Sequence, residues 1–146
     1  MKDFFLHATP ALALFAFAGC TNASYDCGEH SVYATIDEGE KRVELILDSK
    51  ALERAPAWDP ASADPPLSVA KASRAAMDWA RGEYTRYDSV EIREIVLAPY
   101  SCPSIKNRWY YRFDFTPIID GNRVTSPGNF VAVLMDGSVV APRSTR

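Results

Sequence analysis

The side chains able to do chemistry are few and thinly spaced. Histidine occurs twice, as His7 and His30. Glu29-His30 could begin a metal site, but the spacing offers no second firm ligand. A solvent-facing or strand-edge histidine is the simpler account. A Ser-His-Asp arrangement would have to recruit His30, and no Gly-x-Ser-x-Gly turn supports one. The chain contains no Gly-x-Gly-x-x-Gly and no phosphate loop. Asp37, Glu38 and Glu40 cluster in a short polar stretch, where a solvated turn is their simplest role. Asp114 stands two residues from Arg112, and a glycosidase would need a second carboxylate held at a fixed separation from it. No catalytic residue, metal ligand set or cofactor is assigned on this basis.

Binding has better candidates than catalysis. Tyr110, Arg112 and Asp114 alternate with Trp109, Tyr111, Phe113 and Phe115. Alternation places the first three on one face of a strand. Tyrosine and arginine are common interface anchors, so this face, bordered by Tyr33, is a candidate binding face. The alternative is that the first hairpin or the proline-rich loop covers it. Trp58 is the one large side chain in that loop. It either buries against the core or forms an exposed contact.

The cysteines set the location. There are three, Cys20, Cys27 and Cys102. Residues 1–18 form an apolar run with Phe4, Phe5, Leu6, Leu12, Leu14, Phe15 and Phe17, broken early by His7, Thr9 and Pro10. Its length suits the ~7–15-residue core of an export signal, not the ~20 residues of a stable span. Lys2 supplies a thin positive start. The run ends in Phe17-Ala18-Gly19-Cys20, which resembles the lipobox of bacterial lipoproteins, with Phe17 where Leu is usual. That resemblance implies cleavage before Cys20, a diacylglyceryl thioether on Cys20 and an acylated new N-terminus. Two or more chains anchor stably, since each buried CH₂ contributes ~0.8 kcal/mol. The alternative is a plain signal peptide cut near Ala18 or Ala23. With Cys20 acylated, Cys27 and Cys102 are an even pair, and two cysteines in an exported domain usually form a disulfide. Two separate thiols remain the other option.

The remaining elements must position these groups. The expected organisation is a signal over 1–19, a tether over 20–29, one domain over 30–142 and a frayed tail over 143–146. Val32, Ala34 and Ile36 alternate, as do Val43, Leu45 and Leu47, so two strands form a hairpin around Asp37-Glu38-Gly39-Glu40. Pro56, Pro60, Pro65 and Pro66 make 48–66 a loop, with a single helical turn at 51–54. Residues 68–81 read as the main helix. Ser68 caps it, Val69, Ala72, Ala76, Trp79 and Ala80 form its apolar stripe, and Gly82 ends it. Val90 and Ile92, then Ile95 and Leu97, are offset as if by a bulge at Arg93-Glu94. The aromatic strand 109–115 follows. Phe130 to Met135 is apolar throughout, as suits a strand covered on both faces. Asp136-Gly137 turns into Val139-Val140. The fold class is α+β, with one main helix on an antiparallel sheet of about five strands in hairpin-helix-meander order.

Met135-Asp136-Gly137-Ser138-Val139 resembles the closing strand-turn-strand of PepSY repeats, and the helix-then-meander half is similar to PepSY or cystatin-like domains. That resemblance implies a binding or inhibitory module. The formal charge of -3, with no basic block, argues against nucleic acid as a partner. The expected protein is a lipoprotein of the bacterial envelope. It is membrane-anchored, faces the periplasm or exterior, and binds a protein or envelope component. Inhibition of an envelope hydrolase is the alternative, and a small hydrolase a third.

Overall fold

The computed structural model describes residues 26–37 and 39–145. Cys20 and the whole signal segment lie outside the described residues. Ten elements follow in the order β1 (Glu29–Ile36), β2 (Arg42–Asp48), α1 (Ser49–Arg54), α2 (Val69–Glu83), β3 (Ser89–Pro99), β4 (Trp109–Ile119), β5 (Asn122–Arg123), β6 (Phe130–Leu134), β7 (Val139–Val140) and β8 (Arg143–Thr145). Strands β3, β4, β6 and β7, in that spatial order, with β5 paired to β4, form a five-stranded sheet. The leading hairpin is not part of it. β1, β2 and β8 make a second, three-stranded sheet. All strand pairs are antiparallel. The class is α+β, with α2 packed on the five-stranded sheet.

β4 explains the layering. Tyr111, Phe113 and Phe115 point to one face and are 1% exposed or less. They pack with Val131, Val133 and Met135 under Ala72, Ala76 and Ala80 of α2. The three alanines recur every four residues, so the helix backbone can lie close to the rings. Tyr110 points to the other face, as do Phe130, Ala132 and Leu134 of β6. These pack with Val43, Leu45 and Leu47 of β2 and Leu52 of α1. The five-stranded sheet is therefore the middle layer, with α2 on one side and the hairpin sheet on the other.

Local chemistry accounts for the boundaries. Asp48 caps α1 by accepting from the Lys50 N–H, and Ser68 caps α2 by accepting from Lys71 N–H. Asp120 and Gly121 both take positive φ, at 49° and 73°, the geometry of a two-residue hairpin turn. The register of β3 shifts between Ile92 and Glu94, so Ile92 pairs with Phe115 while Ile95 pairs with Phe113. That bulge keeps both apolar pairs on the helix side.

Four expectations change. The tail is not frayed up to residue 145: β8 pairs with β2, and Arg143 grips Glu29 through two hydrogen bonds of 2.8 Å. α2 runs through Gly82 and ends at Tyr84, whose N–H donates to the Ala80 carbonyl. Packing of Tyr84 on Trp79 and Phe115 holds these two extra residues in the helix, against the ~1 kcal/mol that an interior glycine costs. Val69 is 47% exposed and lies off the buried stripe. β1 carries a bulge between Ser31 and Tyr33. The bulge turns Tyr33 inward, edge-on to Phe130 with ring centroids 5.0 Å apart, and leaves Ile36 54% exposed.

A disulfide joins Cys27 to Cys102 across 75 residues, with Cα atoms 6.1 Å apart. It ties the start of β1 to the β3–β4 loop. Closing so long a loop in the unfolded chain is worth ~4 kcal/mol in the chain-entropy model. Cys102→Ala is therefore expected to lower stability by ~2–4 kcal/mol in denaturant titration of the oxidised protein. An unchanged midpoint would show that the bridge adds nothing to the fold.

Candidate functional site

The strand face nominated from sequence is covered by the first hairpin. Tyr110 is 6% exposed and Asp114 3%. Arg112 is largely enclosed. Its guanidinium lies 3.9 Å from the centre of the Tyr33 ring, a cation–π contact across the two sheets. The same guanidinium donates to both carboxylate oxygens of Asp114, at 3.2 and 3.1 Å, and to Glu94 at 3.2 Å. Arg93 stands 3.9 Å from Asp114. Tyr110, Arg112 and Asp114 are thus brought together as a seam between layers, not as an open face. The hairpin sheet packs on this side of β4, opposite α2.

Trp58 is half-buried. Its ring meets Trp109 edge-on at 5.2 Å, and its indole N–H donates to the Ala63 carbonyl at 2.7 Å. The Trp58 backbone N–H donates to the Asn107 carbonyl. The side chain pins the proline-rich loop down, and this does not favour the plug of an inhibitor.

His30 has a polar neighbourhood beside the disulfide. Its Nδ1 lies 3.2 Å from the Tyr100 hydroxyl, and the two rings are 4.9 Å apart. Burial, then Asp48 and Asp26, push the Tyr100 hydroxyl pKa up, so it stays a neutral partner for the imidazole. Cys27, His30, Ser101 and Pro103 line a shallow pocket of ≈ 360 Å³. His30 and Ser101 share that pocket, but no hydrogen bond joins them. Glu29 is taken by Arg143, which holds its carboxyl below the usual range. Asp37 accepts from the Gly39 and Lys41 N–H groups and so structures its turn. Among the described residues no three His, Cys, Asp or Glu side chains converge as a metal site.

A different surface emerges at the opposite end of the domain. The β3–β4 loop and Cys27 mark one end. Ser89, which starts β3, pairs with Ile118 near the end of β4 and marks the far end. There Met77, Arg81, Tyr84, Tyr87, Asp88 and Val90 line a cleft of ≈ 530 Å³ between α2 and β3. This lies within the usual size range of small-ligand pockets, ~300–1,000 Å³. Arg86 stacks on Tyr87, 4.9 Å from the ring centre, and donates to its hydroxyl. Asp88 accepts from the Asp120 N–H at 2.7 Å, fixing the cleft to the β4–β5 turn. Sequence reasoning did not single out this cleft. The only available signal was Tyr84 and Tyr87, three apart and flanked by Arg81 and Arg86 just after the main helix.

The Asp114 seam has a pH signature. Burial, then the hydrogen bond with Glu94, raises the Asp114 pKa; Arg112 and Arg93 oppose this. A carboxyl whose folded pKa is raised binds its proton more readily in the folded state. Its contribution to stability therefore grows as pH falls through that folded value toward the ordinary ~3.9. Wild type should gain stability relative to Asp114→Asn between pH 7 and pH 4, measured by denaturant midpoints at each pH. A pH-independent difference would contradict the shift. No protein-family model matches the chain, and no curated protein or solved structure does either.

Proposed function

We propose that this protein is a lipoprotein of the bacterial envelope, whose small α+β domain binds a protein or another envelope component. The observation that carries the reading is the spacing of the cysteines. Cys20 closes the lipobox-like Phe17-Ala18-Gly19-Cys20, and Cys27, seven residues on, is bridged to Cys102. The third cysteine is thereby left for acylation. A disulfide is also what an oxidising, extracytoplasmic compartment permits.

The domain's chemistry supports binding over turnover. Its best-developed ion cluster, Tyr33-Arg112-Asp114-Glu94, is spent on holding two sheets together. Its one described histidine is engaged with Tyr100. The far cleft combines tyrosine rings, Met77 and Val90 with Arg81 and Asp88, a recognition lining in which apolar walls carry a few oriented polar groups. Seven backbone steps span at most ~25 Å. Acylation at Cys20 would keep the Cys27 end near the bilayer and leave the far end accessible.

Metabolic labelling with a palmitate analogue tests the anchor. Wild type expressed in a bacterium should carry label and partition with membranes, while Cys20→Ala should be unlabelled and soluble after export. Equal labelling of both would rule out Cys20 as the acylated residue.

A further inference from the structure

A smaller pocket sits at the C-terminal end of α2 and shares only Tyr84 with the far cleft. Its volume is ≈ 210 Å³, and its lining includes Trp79, Glu83, Tyr84, Asn129, Ala141 and Pro142. That is below the ~300–1,000 Å³ of sites for whole drug-sized ligands, and suits a single headgroup. Two of its walls are aromatic. The Trp79 and Tyr84 ring planes stand 87° apart with centroids at 5.9 Å, so they meet as a corner. Both rings also rest on Phe115, at 6.1 Å, which fixes them in place without a ligand. Ala141 and Pro142 add apolar surface. Glu83 is the only charged side chain in the lining. It has no ion pair or hydrogen-bond partner for its side chain among the described residues. Arg81, the basic residue of the last helical turn, is held by Asp78 at 3.1 Å and lines the other cleft. Glu83 is also the last residue of α2, where the helix dipole is negative. Burial, then the Glu83 carboxylate, pushes the Tyr84 hydroxyl pKa up, so this ring stays neutral beside it.

We propose that this pocket binds a quaternary ammonium group of the choline class, with Trp79 and Tyr84 as its aromatic walls and Glu83 as its counter-ion. Aromatic rings attract a cation through their quadrupole. The carboxylate and the helix end act with the same sign, and all three disfavour an anion. Hydrogen bonding selects the type of ammonium. A primary ammonium carries three donors, and each loses a water partner on entering the pocket. Glu83 is the only carboxylate there to replace that water. A trimethylammonium has no donor to satisfy, and its methyl groups match the rings, Ala141 and Pro142. Asn129 Nδ2 is buried with no hydrogen-bond partner among the described residues, a donor left for the oxygen that choline compounds carry close to the nitrogen. The proposal rests on the reading of the domain as a binding module, and not on acylation of Cys20. Free choline and the headgroup of a choline lipid share the chemistry.

The test titrates choline chloride into the full mature chain in maltoside micelles at constant ionic strength, followed by NMR. The Trp79 indole N–H and the amides of Glu83, Tyr84 and Ala141 should shift saturably. A Kd in the millimolar range suits one cation held by two rings and one carboxylate. Glu83 is exposed, so Glu83→Gln should keep the fold and weaken choline roughly fivefold or more. The carbon isostere of choline, with tert-butyl in place of trimethylammonium, should bind wild type more weakly by a similar factor, and so should ethanolamine. These two comparisons need no variant. No saturable shift at these residues, equal binding by the isostere or by ethanolamine, or unchanged binding by Glu83→Gln would overturn the proposal. Co-sedimentation of Cys20→Ala with phosphatidylcholine vesicles but not phosphatidylglycerol vesicles would assign the ligand to a lipid headgroup. Binding of free choline without such co-sedimentation would assign it to a soluble cation. Both results uphold the ammonium site. Cys20→Ala should bind choline as wild type does, so loss of lipid labelling and loss of choline binding report on the two readings separately.

Discussion

The structure depends on one strand having no solvent face. Tyr110, Tyr111 and residues 113–117 of β4 are all buried. Large aromatic side chains bury 150–250 Å² each, and a fully buried phenylalanine contributes roughly 1.5–3 kcal/mol. One helix can cover only one face of a sheet. The other face is closed by the leading hairpin, helped by α1. The two-sided burial of β4 therefore sets the number of layers and the packing of both cores.

Polar groups follow from the same constraint. An arginine and an aspartate on a covered face cannot stay hydrated, so they must satisfy each other. Arg112 does this with two carboxylates and the face of Tyr33. The bulge in β1 is what brings Tyr33 to that position. The bulge in β3 similarly keeps Ile92 and Ile95 on the helix side while Glu94 reaches Arg112. Two single-residue irregularities thus serve one buried seam.

The two ends of the domain differ in character. At the disulfide end, the Cys27–Cys102 bridge, the α1 cap, Asp26 bonded to Ser49 and the Glu29–Arg143 pair bind the chain closely. At the far end, the helix terminus, the Tyr84–Tyr87 pair and the start of β3, the sheet's edge strand, leave a cleft. Covalent and ionic restraints are concentrated where the chain enters. Unspent surface lies at the opposite end.

Sequence by itself determined the elements whose signals are local. The main helix, the hairpin strands, the aromatic strand, the bulge in β3 and the Asp136-Gly137 turn were all legible, because periodicity and turn chemistry act over a few residues. Cysteine arithmetic likewise yielded the Cys27–Cys102 pairing. Only tertiary structure decided which faces remain open. Tyr110, Arg112 and Asp114 look the same in sequence whether a hairpin covers them or not, and Trp58 is equally ambiguous. Whether β3 ends at an edge, and whether Tyr84 and Tyr87 wall a cleft, depends on which strands lie beside it. The tail reads as frayed because three residues carry no periodic signal; its order comes from β2 and Glu29, distant in sequence by about a hundred residues. Exposure is a property of the assembled layers, and no local pattern encodes it.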